Sequence, residues 1–163
     1  MNGNSFDFDA VDTFAAGAVG QPGRREFFLQ VVTGRTVVSL KAEKQQVALL
    51  ADYLDRLIST VEFEDSPPAH MPDLVEPPLP EWVVGSLMVA VNPSAERIVV
   101  VASEIGDEDD DDEHLAEARV ALTLGQVEAF IEGARRLVEA GRPPCRLCGR
   151  PDDPAGHLCP RLN

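Results

Sequence analysis

The sequence predicts an α+β domain: two tandem βββα units whose strands form one largely antiparallel sheet, with both helices on one face. Three observations lead there. Two segments eighty positions apart share one helical apolar stripe, each follows a series of short β-prone runs, and a stretch rich in proline and acid separates the two sets. The first stripe is Val47, Leu50, Ala51, Leu54, Leu57 and Ile58. The second is Val127, Phe130, Ile131, Ala134, Leu137 and Val138. Both follow the spacing that sets residues on one side of a helix.

The first unit spans about 11–60. It opens with Phe14-Ala-Ala-Gly17, turns at Gln21-Pro-Gly23, and continues with the apolar run Glu26–Val32. Thr33-Gly34 marks a second turn before Thr36–Leu40, and the helix then covers Gln46–Ile58. Its start carries no clear capping signal. The second unit spans about 82–141 and repeats the order: Trp82-Val-Val-Gly85, a turn at Asn92-Pro-Ser94, Arg97–Ala102, Ala118–Leu122, and a helix over Gln126–Val138. Thr123-Leu-Gly-Gln126 reads as a capping box, and Gly141 before Pro143-Pro144 ends the helix. The units predict about six strands, related by a pseudo-twofold axis. Tyr53, Trp82 and Phe130 are expected in the core.

Two segments stand outside the units. Residues 62–81 hold six prolines, six acids and no Lys or Arg, which predicts an extended linker. Residues 104–117 hold nine acids, including the run Asp107–Glu113, which predicts a solvated loop. That run lacks the alternation of an EF-hand, so a calcium site is not expected. Residues 1–141 thus read as one domain and 142–163 as a tail.

The tail holds the sharpest chemistry. Cys145-Arg-Leu-Cys148-Gly149 and His157-Leu-Cys159 place all three cysteines and one of three histidines within fifteen residues. Two thiolates two residues apart grip one side of a metal ion, and His-x-Cys closes the other. The set Cys145, Cys148, His157 and Cys159 therefore predicts a structural Zn2+ site of the Cys3His kind. Four protein ligands leave no open position for catalysis by bound water. A redox Cys-x-x-Cys belongs at a helix start after a strand, whereas this one follows a helix and two prolines. Arg142, Arg146, Arg150 and Arg161, with Arg135 and Arg136 nearby, raise the choice between a basic docking patch and ordinary solvated arginines.

Composition narrows the function further. Twenty-eight acids against fourteen bases leave a net charge of −14, which opposes nucleic acid and anionic lipid. No run approaches the ~20 apolar residues of a membrane span, and no basic, apolar leader opens the chain. Clustered cysteines beside a histidine suit reduced thiols and a cytoplasmic location. No phosphate loop, dinucleotide fingerprint, nucleophile elbow or zinc-protease motif appears, and His70 and His114 have no nucleophile near them in sequence.

The chain also resembles a known family. Gly20-Gln-Pro-Gly23, Glu43-Lys-Gln-Gln-Val47, Gly141-Arg-Pro-Pro-Cys-Arg-Leu-Cys-Gly149 and Asp153-Pro-Ala-Gly-His-Leu-Cys-Pro-Arg-Leu-Asn163 look like the uncharacterised actinobacterial family called domain of unknown function 3090. The resemblance covers nearly the whole chain. It implies no reaction, and it implies a phosphate-related setting through the genes that accompany the family. The expected function is a non-catalytic, zinc-containing interaction or regulatory protein with a protein partner. The alternative is an enzyme or small-ligand binder whose pocket lies between the two units. Catalytic residues are not expected, and the oligomeric state is left open.

Overall fold

The structure, a computed structural model, describes residues 3–109, 114–141, 145–150 and 157–161. In chain order these form β1 (Phe6–Phe8), β2 (Thr13–Val19), β3 (Glu26–Thr33), β4 (Thr36–Ala42), α1 (Lys44–Ile58), β5 (Pro80–Asn92), β6 (Arg97–Glu104), β7 (Glu117–Leu122) and α2 (Leu124–Glu139). The strands make one sheet in the order β1-β7-β6-β5-β4-β3-β2. The β1–β7 and β4–β5 pairs are parallel and the other pairs antiparallel, so the α+β expectation holds.

Strand β5 is shared between two pairings. Its beginning, Pro80 and Val83, runs beside Ser39 and Lys41 of β4, and from Val84 onward it pairs with β6. The register shifts between Val84 and Ser86, so the strand bends at Gly85. A Cβ on Gly85 would come within 2.7 Å of the Ile105 Cα, which explains the glycine at the bend. Two four-strand groups result. One runs from the start of β5 through β4 and β3 to β2, the other from β1 through β7 and β6 to the end of β5. Each group has one parallel pair followed by two antiparallel pairs.

The sheet must also curl. Only Asp9–Asp12 connect β1 and β2, which lie at opposite ends of the strand order. Five Cα steps reach at most ~18 Å, whereas seven strands laid flat would span ~29 Å. Both helices fill the hollow of this curl. Val47, Leu50, Ala51 and Leu54 of α1 meet Val127, Phe130, Ile131 and Ala134 of α2 in one core with Leu29, Leu40, Ile98, Val100 and Leu122. Each large apolar side chain buried there stabilises by about 1.5–3 kcal/mol. Phe14 of β2 packs on Phe130 at 4.8 Å between ring centroids, which draws α2 onto the β2 edge. Arg135 of α2 bonds Asp52 and Asp55 of α1 at 3.2 and 3.0 Å, tying the helices on their exposed side.

Several expectations change. The sheet has seven strands because Phe6-Asp-Phe8, too short to stand out by alternation, pairs with β7; Arg119 holds it by Asp7 and Asp9 at 2.9 and 3.2 Å. The linker ends at residue 79, since Pro80 and Glu81 open β5, and a strand start tolerates proline because it needs no amide there. Through the paired strands Phe14 corresponds to Leu87 rather than Trp82: Phe14 faces Val31 on β3, and Leu87 faces Ala102 at the matching place on β6. Helix α1 does have a cap: the Glu43 amide donates to Gln46 Oε1 at 2.9 Å, as Thr123 does to Gln126 Oε1 at 3.0 Å. Trp82 and Phe130 are buried, but Tyr53 is 58% exposed, because the second helix covers the opposite side of α1.

The linker is a strap. Ser66 Oγ accepts from the Gly125 amide at 2.6 Å, Met71 presses on Gly133 of α2, and Leu74 lies over Gly17 of β2. The chain then passes behind the sheet, where the buried Gln30 side chain donates to the Val75 carbonyl (3.1 Å) and accepts from the Val75 amide (2.8 Å). Gln30 also donates to Ser39 Oγ at 3.0 Å. Gln30→Leu should cost about 1–3 kcal/mol, since it leaves the Val75 groups without their partner. Chemical denaturation reads the loss, and cleavage within 62–79 by a trace of protease should speed up. Gly85→Ala should cost about 1–3 kcal/mol by forcing β5 from Ile105. A denaturation midpoint equal to the parent's would remove that bend from the account.

Candidate metal centre

After α2 the chain runs past Gly141 into a tight turn. The Cys145 amide donates to the Arg150 carbonyl at 2.7 Å, and the Gly149 amide donates back to the Cys145 carbonyl at 2.9 Å. Gly149 takes φ +73, a left-handed conformation that a side chain disfavours. The turn folds Cys145 and Cys148 onto one side, and His157 and Cys159 return to meet them. Their four donor atoms lie within 4.8 Å of one another.

The spacing can be set against a tetrahedron. Zinc–sulfur bonds of about 2.3 Å and zinc–nitrogen bonds of about 2.0–2.1 Å imply S···S edges near 3.8 Å and S···N edges near 3.6 Å. Cys145 Sγ and Cys159 Sγ stand 4.0 Å apart, and Cys148 Sγ and His157 Nε2 stand 3.5 Å apart. The three cysteines are free thiols. Three soft sulfurs and one imidazole at these separations fit a single tetrahedral ion.

The cluster already favours charge on sulfur. The Arg150 backbone amide, then the His157 ring, lower the Cys148 thiol from 9.0 to about 7. Cys159 behaves oppositely. The Arg161 amide is its largest influence and pulls its pKa down, but burial and the neighbouring Cys148 and Cys145 outweigh it and leave the thiol raised. A bound cation would offset the repulsion between several thiolates this close.

A family model described as "Protein of unknown function (DUF3090)" matches residues 6–159. The chain belongs to this family. No curated protein and no solved structure matches it. The match takes in all four Cys/His residues and every strand and helix.

Other predicted features lie apart from the cluster. Arg135 is committed to Asp52 and Asp55, and Arg136 faces Glu132 at 3.6 Å, so these two do not extend a tail patch. Arg146, Arg150 and Arg161 are exposed around the turn, and Arg142 lies outside the described residues. Asp107, Glu108 and Asp109 are exposed, as the solvated-loop reading expects, and the rest of that acid run also lies outside the described residues. His70 sits on the strap and His114 precedes β7. No helix among the described residues is long and apolar enough to cross a membrane. The Arg150 amide was not singled out from the sequence, since a backbone donor leaves no residue-type signal.

In reduced, metal-free protein at pH 7, iodoacetamide should modify Cys148 before Cys159. Thiolate is the reactive form, and Cys148 titrates near neutrality while Cys159 titrates higher. Its rate should fall about tenfold per unit as pH drops well below 7. Peptide mass mapping over time reads both rates, and equal rates would contradict this electrostatic ordering.

Proposed function

We propose that this protein is a non-catalytic interaction or regulatory protein whose tail is folded by one structural zinc ion on Cys145, Cys148, His157 and Cys159. The reading rests above all on the convergence of four donor atoms within 4.8 Å, in a set that fills a tetrahedron with protein ligands. A closed set supplies folding energy rather than an activated water. Residues 1–141 are the body and 142–163 the metal-dependent tail. Reduced thiols in this number suit a cytoplasmic setting. The exposed Arg146, Arg150 and Arg161 would turn a positive face toward an acidic or phosphate-bearing partner. The matched strand pairings of the two four-strand groups support an origin by tandem duplication of a βββα unit.

Protein purified reduced and without chelator should carry one zinc per chain in a native mass spectrum. Cys159→Ser should lose the ion, and chelation should speed proteolysis within 142–163 while leaving the body's unfolding transition in place. A Co2+-substituted sample should show the spectrum of a tetrahedral thiolate site. Protein that takes up neither ion would sink the proposal.

A further inference from the structure

The strap covers one of two edges that hold matching places in the topology. Strand β2 ends one four-strand group beside α2, and the later part of β5 ends the other beside α1. At the β2 edge, Met71 and Leu74 of the strap press on Gly133 and Gly17, and Arg136 shares the hollow with Asp73 and Glu76. At the β5 edge the corresponding hollow, about 540 Å3, lies open between α1 and residues 85–89. Arg56 and Tyr53 of α1 stand there eighty positions before Arg136 and Gly133.

The open groove has the chemistry of a peptide seat. Gln46 Nε2 donates to the Val84 carbonyl at 3.1 Å, and from Ser86 to Asn92 strand β5 pairs only with β6 among the described residues, so its other edge offers main-chain donors and acceptors there. Residues 85–92 carry no charge and no proline, the devices that usually protect such an edge. Leu49, Tyr53 and Met88 line the groove at 56%, 58% and 61% exposure. Arg56 closes one side. Its guanidinium lies 5.3 Å over the Tyr53 ring and forms no ion pair with a described acid.

Chain order shows why no described segment covers this edge. The strap follows α1 and covers the edge beside α2. The segment that follows α2 turns into the Cys/His cluster instead, and no described residue of it lines the groove. Its exposed arginines would also meet Arg56 with like charge.

We infer that the groove between α1 and the free edge of β5 binds an extended, acidic peptide segment of a partner protein, added as a strand along that edge. Apolar side chains on the helix side of the peptide rest on Leu49 and Tyr53, and a carboxylate meets Arg56. The unpaired main chain of β5 between Ser86 and Asn92 supplies the backbone bonds by strand addition. The inference names a partner class for the interaction role proposed above, and it shares no residue with the metal cluster.

The test is a two-by-two binding cycle by fluorescence anisotropy, using full-length protein with its zinc content measured on the same samples. The probes are two labelled ten-residue peptides with valine at alternate positions and threonine between, one carrying glutamates at its end and the other lysines. The parent should bind the glutamate peptide, and Arg56→Glu should shift preference toward the lysine peptide by about fivefold across the cycle, the scale of an exposed ion pair. The cycle cancels the general repulsion of an acidic protein. Tyr53→Ala should weaken both peptides, N-methylation of the peptide backbone should abolish binding, and circular dichroism should stay unchanged, since both residues are exposed. No binding by either peptide, or a cycle without coupling, overturns the inference. So does sedimentation showing a dimer broken by Met88→Lys, which would make a second copy the occupant. Zinc-free samples that still bind would leave this inference standing while the metal proposal fails.

Discussion

Strand β5 serves two neighbours in succession, and the rest of the molecule is arranged around that division. Its first residues lie parallel to β4, which is possible because α1 and the strap bring the chain back to start in the same direction. Its remainder turns antiparallel to β6 and outruns β4 altogether. The bend at Gly85 joins two strand groups into one curled sheet. The curl makes the hollow that both helices fill, and the overrun leaves an edge beside α1. A side chain at residue 85 would meet Ile105 at this bend.

The two helices are alike in their buried faces and unlike in what surrounds them. Helix α2 approaches β2 closely because that strand presents Ala16 and Ala18 to it, and Gly133 admits Met71 from the strap. Helix α1 carries Tyr53, which lines the hollow beside Leu87 and Val89 of β5. Gly17 and Gly133 leave room for Leu74 and Met71 of the strap at the β2 edge. The Cys/His turn contributes to the same division, because it folds on its own ligands rather than along α1.

The metal centre follows a separate logic. Its geometry depends on short-range turn chemistry: Gly149 at positive φ, two crossed backbone bonds, and an Arg150 amide aimed at Cys148. Sulfur atoms 4.0 Å apart, with one thiol poised near neutrality, lie close enough together to hold one metal ion. Such a site can organise a tail without contributing to the core.

Both helical stripes, most strands and the four Cys/His residues were legible in the sequence because each rests on local periodicity or spacing. The helix stripes repeat every three to four residues, and metal-ligand spacing is set by a few bonds of chain. Other features had no local signal. Strand β1 has three residues and exists only because β7 lies beside it, and Pro80 joins β5 only because β4 offers it a parallel neighbour. Tyr53 reads as core until the position of α2 shows which side of α1 remains exposed. The linker reads as extended, but its contacts with Gln30, Gly17 and Gly133 arise from three distant elements. The sequence by itself therefore determined the class of fold, the helices and the Cys/His set that converges in the tail. Only the tertiary structure decided which edge is strapped and which is open, because non-local packing, and not periodicity, selects the face that a side chain or strand edge presents to solvent.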